Sequence, residues 1–449
     1  MAKLVESRHS GCRVSVKVAI LTGYAISKSR PNVFAGTCHE DRNMTLQHLT
    51  LDQIDQAQLQ RLIDGKTSER RDIEYKRATY GNADKDYGEY LADISSFANT
   101  VGGDIIIGMN AKAGVPTSFE PLQVDPDAEI LRLENVARSG LQPRVYGFAI
   151  REIPIATGGF VLVVRIPRSY NQPHRIVRQG TGHHRFYARS SAGKYEPNVD
   201  ELRLLFGRAP QLSDRIRDFR FDRIAKIAAN DAPVPLLDAH ALTLHVIPFS
   251  AFDRRLRLPL DPKDRLYSVF PPMLSTYPSN FRINVDGLLT LYNPEGNAKQ
   301  QRAYVQVFHT GIVEAVTSSF LEGTRTPQGP GRLTALKAEA CIVKYSHSYL
   351  TALVTLGCAP PFAVLVNLIG VKDVPYSFTM GNSLFEDEAG VLDRDQLHFQ
   401  EVIIEDVQPN PYEYAKQLRP LLDQTANAAG RAATPSFDGS GKFRLKVDY

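Results

Sequence analysis

Ile94-Ser95-Ser96-Phe97-Ala98-Asn99-Thr100-Val101-Gly102-Gly103-Asp104-Ile105-Ile106-Ile107-Gly108 is the stretch that decides the fold. Its first half continues an amphipathic pattern that begins at Tyr87, with Leu91, Ile94, Phe97 and Ala98 on one side. That spacing predicts a helix over 87–100. Gly102-Gly103 ends it, because glycine adopts the left-handed conformation at a helix C-terminus without a Cβ penalty. Asp104 to Met109 then reads as a short strand buried on both faces. Upstream, Ile73 and Tyr75 alternate with Asp72, Glu74 and Lys76, the pattern of a half-buried strand over 71–77. Asp52 to Ile63 has helical spacing and stops at Asp64-Gly65. Downstream, a helix is expected over 127–138, strands over 145–153, 159–166 and 185–189, and a short helix over 199–206. Helices and strands in this order make an α+β fold.

The chain has 449 residues, 43% of them hydrophobic and 23% charged, which excludes a mainly disordered or collagen-like protein. Its net charge of +4 resides entirely in residues 1–43. A globally basic nucleic-acid protein is therefore excluded, and any polyanion surface must be a local patch. Residues 1–43 have weak periodicity and are expected to be a poorly ordered extension. Cys12, Cys38, Cys341 and Cys358 lack the spacing of a disulfide framework or a zinc site and suit a reducing, cytoplasmic setting. The most apolar stretch, Val354 to Val371, is interrupted by Pro360-Pro361 and Asn367, so no membrane span is expected.

After the first α+β domain, placed at 44–208, residues 209–236 read as a charged helical connector. A second α+β domain of unknown type is expected over 237–449. It has strand-like runs at 242–247, 303–308, 311–316, 362–368 and 401–404, helices at 336–356 and 412–422, and a loose tail from Thr425. In the hairpin-like run 304–314, His309 and Glu314 are the notable polar residues, with a structural role as the default.

Glu74 and Lys76 share one strand face about 6–7 Å apart. A carboxylate there can ligate Mg²⁺ through oxygen, and a neighbouring lysine can stabilise charge on a phosphate. The bland alternative, an ion pair on a solvated strand, is the commoner use of such a pair. Residues 165–194 carry seven Lys/Arg, three His and no acid. Tyr170, Phe186 and Tyr187 are interleaved among them. Arginines can fork onto phosphates and aromatic rings can stack on unpaired bases. This basic segment, read as a hairpin, is the best binding signal. Adjacent His183 and His184 would point opposite ways on a strand and fit a solvated loop better than a metal site. Gly439-Ser440-Gly441-Lys442-Phe443 lacks the first glycine and the hydroxyl residue that a phosphate-binding P-loop requires.

Three blocks in order resemble the Schlafen AlbA-type domain over residues 50–206. They are Glu69-x4-Glu74-Tyr75-Lys76, the Phe97–Gly108 run, and Pro173-His174 with Phe186–Ala192 and Glu201-Leu202. The resemblance implies a family described both as DNA-binding and as ATP-binding. In RNA-cutting relatives an acidic trio holds a metal. Carried over, its first two members match Glu69 and Glu74, with Lys76 beside them. The third falls at or beside Asn110, where there is no acid and Asn110 offers a carbonyl oxygen without the charge.

The sequence therefore leads to a regulatory nucleic-acid-binding protein, the partner being RNA or DNA. The contacts expected are Arg165, Arg168, His174, Arg175, Arg178, Arg185, Tyr187, Arg189 and Lys194. One alternative is a Mg²⁺- or Mn²⁺-dependent endoribonuclease with Glu69, Glu74 and Lys76 as catalytic residues and Glu69, Glu74 and Asn110 as metal ligands. Another is a protein-interaction or ATP-binding module. Homo-oligomerisation stays open.

Overall fold

The computed structural model describes residues 46–47, 49–252, 257–261, 266–275, 278, 280–294, 300–322, 331–377 and 390–447. The expected extension at 1–43 lies outside them. Every described residue belongs to one compact unit, Asn43–Tyr449.

The N-terminal region runs α1 (Gln56–Asp64), β1 (Ile73–Lys76), α2 (Asp84–Ala98), β2 (Gly103–Ile107), β3 (Met109–Lys112), β4 (Val115–Phe119) and α3 (Pro126–Gly140). It continues with β5 (Leu141–Gln142), β6 (Ala149–Pro154), β7 (Phe160–Ile166), β8 (Arg175–Ile176), β9 (Ala188–Ser190) and β10 (Gly193–Tyr195). Its main sheet has the order β1-β2-β7-β6, with β1 parallel to β2 and the other pairs antiparallel. β2 is buried along its whole length because both faces are covered. Ile105 and Ile107 pack with Leu91 and Phe97 of α2, whereas Ile106 packs with Leu59 and Leu62 of α1. Burial of each such isoleucine stabilises the fold by about 1.5–3 kcal/mol.

The two glycines act as their positions demand. Gly102 has φ +75°. A Cβ on Gly103 would fall 2.4 Å from the Phe97 ring and 2.6 Å from the Asp72 carbonyl oxygen, so strand and helix could not close together.

α4 (Val199–Ala228) differs from expectation. The short helix and the connector as far as Ala228 are one thirty-residue helix running through Pro210, and the rest of the expected connector is not helical. A mid-helix proline costs about 3 kcal/mol through a lost hydrogen bond and a clash. Tertiary burial outweighs it here, since Leu212 and Ile216 seat against Ile247, Ala363 and Leu365.

Further α/β elements follow: β11 (Ala241–Pro248), α5 (Leu266–Val269), β12 (Asn280–Ile283), β13 (Gly287–Tyr292), β14 (Ala303–Phe308), β15 (Val313–Thr317), β16 (Leu333–Thr334) and α6 (Ala335–Thr355). Then come β17 (Phe362–Ile369), β18 (Pro375–Ser377), β19 (Gly390–Val391), β20 (Gln396–His398), β21 (Val402–Ile404) and α7 (Pro411–Asn427). An antiparallel sheet of order β12-β13-β14-β15-β11-β17-β20, with β21 also on β17, carries α6 and α7 on one face and α4 on the other. The β12–β13 hairpin was not expected, although Asp286-Gly287 marks its turn. The tail read as loose is packed instead. Phe443 and Val447 are buried, and Phe437 stacks edge-on to Phe443 with centroids 5.2 Å apart.

Glu314 has the structural role expected for it. Arg223 on α4 donates two hydrogen bonds to its carboxylate (2.7 and 2.8 Å). The Tyr304 hydroxyl donates another, and His245 Nε2 lies at 3.1 Å. Burial would raise the Glu314 pKa, but the bonds from Arg223 and His245 prevail and lower it to about 2. The Lys442 turn is also closed on itself. Asp438 Oδ1 accepts from the Ser440 and Lys442 amides, which a P-loop would direct at phosphate.

Candidate nucleic-acid interface

β1 is an edge strand, and alternation splits its side chains. Ile73 and Tyr75 enter the core with α1, so Glu74 and Lys76 fall on the other face, toward α2. Lys76 Nζ lies 2.6 Å from Glu74 and 3.2 Å from Asp93. Burial would lower the lysine's pKa, but Asp93 and Glu74 together outweigh it and raise it. Arg189 and Lys194 stand directly opposite each other on the β9–β10 hairpin, which puts both side chains on one face. Arg189 pairs with Glu74. Lys194 pairs with Asp93 (2.8 Å) and Glu89 (2.6 Å). Three cations and three carboxylates thus form a closed set, with Asp93 fully buried inside it.

Glu69 has a different task. Its Oε1 accepts the Tyr75 amide at 3.0 Å, capping the open edge of β1, while its own amide donates to the Gly114 carbonyl in the β3–β4 turn. Asn110 lies on β3, half-exposed, with its backbone oxygen accepting from Thr117 Oγ1. Among the described residues no group of three His, Cys, Asp or Glu is placed to hold a metal ion.

The basic segment 165–194 divides in two. Arg165 grips Asp104 at 2.8 and 3.1 Å and donates to the Leu46 carbonyl. His174 is fully buried, with Nδ1 2.6 Å from the Pro143 carbonyl oxygen, and burial pushes its pKa down to about 4. Together with Arg189 and Lys194, these residues serve the fold. The remaining basic residues stand outward. Ile176 takes the Arg185 carbonyl (3.0 Å) and gives its own to the His184 amide (2.8 Å), making a fold-back over 175–186. This gathers Arg175, Arg178, His183, His184 and Arg185. Arg178 covers the Tyr87 ring at 4.1 Å. Arg185 pairs with Glu196 where both are more than half exposed, and Arg175 donates to Gln142. Exposed pairs of this kind contribute about 0–1 kcal/mol, so they yield readily to a stronger anion. Tyr187 is half-buried beside Gly182. Arg168 lies 5.9 Å from the Tyr170 ring, away from the fold-back in sequence. The rings of His183 and His184 stack at 3.6 Å instead of diverging, because His184 has φ +63° and the pair sits in a turn.

Sequence reasoning missed what holds the fold-back in place. Asn99 Oδ1 accepts the His174 amide (2.7 Å), and its Nδ2 donates to the carbonyls of His174 (3.1 Å) and Tyr187 (2.8 Å). Ser95 Oγ adds a bond to the His174 carbonyl, and Thr100 Oγ1 accepts the Arg189 amide. The polar residues of the Ser95–Thr100 run therefore anchor both ends of the basic segment. The cue was buried polar side chains on a helix face otherwise apolar.

Residues 69–198 match the Schlafen, AlbA_2 family model. The match opens at Glu69 and closes at the α4 N-cap, Asn198, so it contains the six-charge set, the Asn99 anchor and the fold-back of this AlbA_2 region. The rest of the chain is unassigned. The N-terminal domain of an ATP-dependent DNA helicase RecG-related protein from Nitrosomonas europaea is 22% identical, with 29% of this chain and 84% of that one covered and a TM-score of 0.22. The DIP2311 protein of Corynebacterium diphtheriae is 15% identical, with 32% and 29% covered and a TM-score of 0.22. No curated protein matches. Among the described residues no helix is long and apolar enough to cross a membrane.

Proposed function

We propose that the AlbA_2 region binds a nucleic-acid strand through its phosphates in a regulatory, non-cleaving role. The observation that carries this reading is the fold-back 175–186. It presents Arg175, Arg178 and Arg185 with two histidines on a backbone fixed by Asn99, and among the described residues these arginines meet the Gln142 amide and the surface carboxylates of Asp84 and Glu196. Guanidinium groups at such a surface exchange weak local partners for phosphates. Binding is favoured over metal-assisted cleavage because the Glu74 carboxylate already holds Lys76 and Arg189, and Glu69 already holds the Tyr75 amide. The test is anisotropy of labelled single-stranded RNA and DNA against salt concentration. Each phosphate contact contributes a slope of about −0.7 for single strands. The triple variant Arg175→Ala/Arg178→Ala/Arg185→Ala loses about two units of slope. An affinity indifferent to salt and to these substitutions overturns the reading.

A further inference from the structure

A cleft of about 490 Å³ opens between α3, the loop after β5 and the residues that follow β21. Pockets that take small molecules are of this size. α3 supplies Glu134 and Arg138, the loop supplies Arg144, Tyr146 and Phe148, and the residues after β21 supply Glu405. Phe148 packs on the AlbA_2 core, and a Cβ on Gly147 would fall 3.3 Å from Pro167 and 3.6 Å from Ala359, so the aromatic wall is seated on both sides. Burial, and then the Glu405 carboxylate beside it, push the Tyr146 hydroxyl up to about 12. Among the described residues neither Arg138 nor Arg144 has a carboxylate within ion-pair distance. The third acid on the lining, Asp406, already accepts from the Gln408 side-chain amide at 2.6 Å. The cleft adjoins the fold-back. β5 pairs Gln142 with Arg175, and the Gly140 carbonyl accepts the Val177 amide at 2.9 Å. Arg144 lies two residues past Gln142 and Arg138 two before Gly140, at most about 7 Å along the chain in either case.

We propose that this cleft takes one unpaired guanine of the strand held on the fold-back. It rests on the strand-binding reading above and names the base that such a strand brings here. Carboxylates repel phosphate, so Glu134 and Glu405 suit the cleft to a neutral group rich in N–H donors. Tyr146 and Phe148 offer ring faces on which a base stacks. Guanine presents two donors side by side, N1–H and the 2-amino group, which one carboxylate accepts together. Its O6 and N7, on the other edge, accept a forked guanidinium, here Arg144. Uracil lacks the paired donors. Adenine and cytosine set a ring acceptor beside their one amino group, and a carboxylate repels it. Arg138 is left for the neighbouring phosphate. In a duplex the same donors are spent on cytosine, so the cleft selects single strands.

Anisotropy on the full chain tests it, with three labelled ten-nucleotide RNAs: all uridine, the same strand with one central guanosine, and that guanosine replaced by inosine, which lacks only the 2-amino group. The guanosine strand is expected to bind at least about tenfold tighter than the uridine strand, and inosine to lose most of that gain. The double variant Glu134→Gln/Glu405→Gln, at positions outside the core, brings the guanosine-to-uridine ratio near one without weakening the uridine strand, since it removes negative charge. Arg185→Gln weakens all three strands alike and keeps the ratio. If no strand binds, the strand reading has failed, and free guanosine at millimolar concentration decides this one. Saturation transfer to guanosine from wild type, lost in the double variant, upholds the cleft; no transfer overturns it. Equal affinity for the guanosine and uridine strands, inosine binding as guanosine does, or a double variant that keeps the preference also overturns the proposal.

Discussion

Arg189 is seated on Glu74. The arginine belongs to the acid-free basic segment and the glutamate to the acidic block, yet they neutralise each other, with the arginine side chain only 3% exposed. Its guanidinium carbon also lies 4.3 Å from the centroid of the Phe97 ring. The charged residues at the heart of the AlbA_2 region therefore hold β1, α2 and the β9–β10 hairpin together. On the function proposed above, the polyanion surface is what remains outside this set.

Removing one member should be costly. Glu74→Ala leaves Arg189 buried without its counter-charge, and breaking such a pair costs about 3–5 kcal/mol. Urea denaturation followed by circular dichroism should show a midpoint well below wild type. If Glu74 were instead a solvated metal ligand, the midpoint would stay put.

Asn99→Ala removes three hydrogen bonds that fix the basic segment. We expect a loss of about 2–4 kcal/mol, since each net bond contributes about 1 and the orphaned His174 and Tyr187 backbone groups add desolvation costs. Hydrogen exchange at the His174 amide should accelerate. Strand affinity should fall even though every arginine of the fold-back remains.

Stability should decline on acidification in two windows. His174 has its pKa lowered by burial from 6.5 to about 4. The unfolded chain takes up the proton first, so this stability is complete above pH 6.5 and is lost as pH falls toward 4. His174→Asn, which keeps a donor for the Pro143 carbonyl, should flatten that part of the profile. Glu314, held at about 2, contributes stability above its ordinary pKa that is lost as pH falls from about 4.5 through 2. Glu314→Gln should remove this second window along with a large share of overall stability.

Pro210→Ala should stabilise the chain. It restores a backbone donor inside α4 and relieves the ring's clash with the Phe206 carbonyl, for a gain of about 1–3 kcal/mol. Thermal unfolding would read it directly. An unchanged or lower midpoint would mean that the proline's fixed geometry is itself needed there.

How much was legible follows from the range of the interactions. β2 announced itself because a strand covered on both faces must be apolar throughout, and Gly102-Gly103 marked its start. The halves of β1 were legible from alternation. Pro210 misled because local propensity says nothing about Leu212 and Ile216 finding Ile247 and Leu365 on the facing sheet. Asp286-Gly287 is a local hairpin signal for β12–β13, present in the sequence itself. The pairing of Glu74 with Arg189 spans more than a hundred residues and leaves no periodic trace. A count of acids within 165–194 saw an unopposed basic stretch, whereas Glu74, Glu89, Asp93 and Asp104 oppose it from elsewhere in the sequence.

α4 has one more implication, for anyone who would dissect the chain. It is a rod about 45 Å long, and its C-terminal half supplies Arg223 to Glu314 and Arg220 to Asn367 and the Phe399 carbonyl. Cutting at residue 198, where the family match stops, keeps this rod with the downstream fragment. Cutting at residue 236 strands an ionised glutamate on a bare sheet, and that fragment should come out of the cell as aggregate.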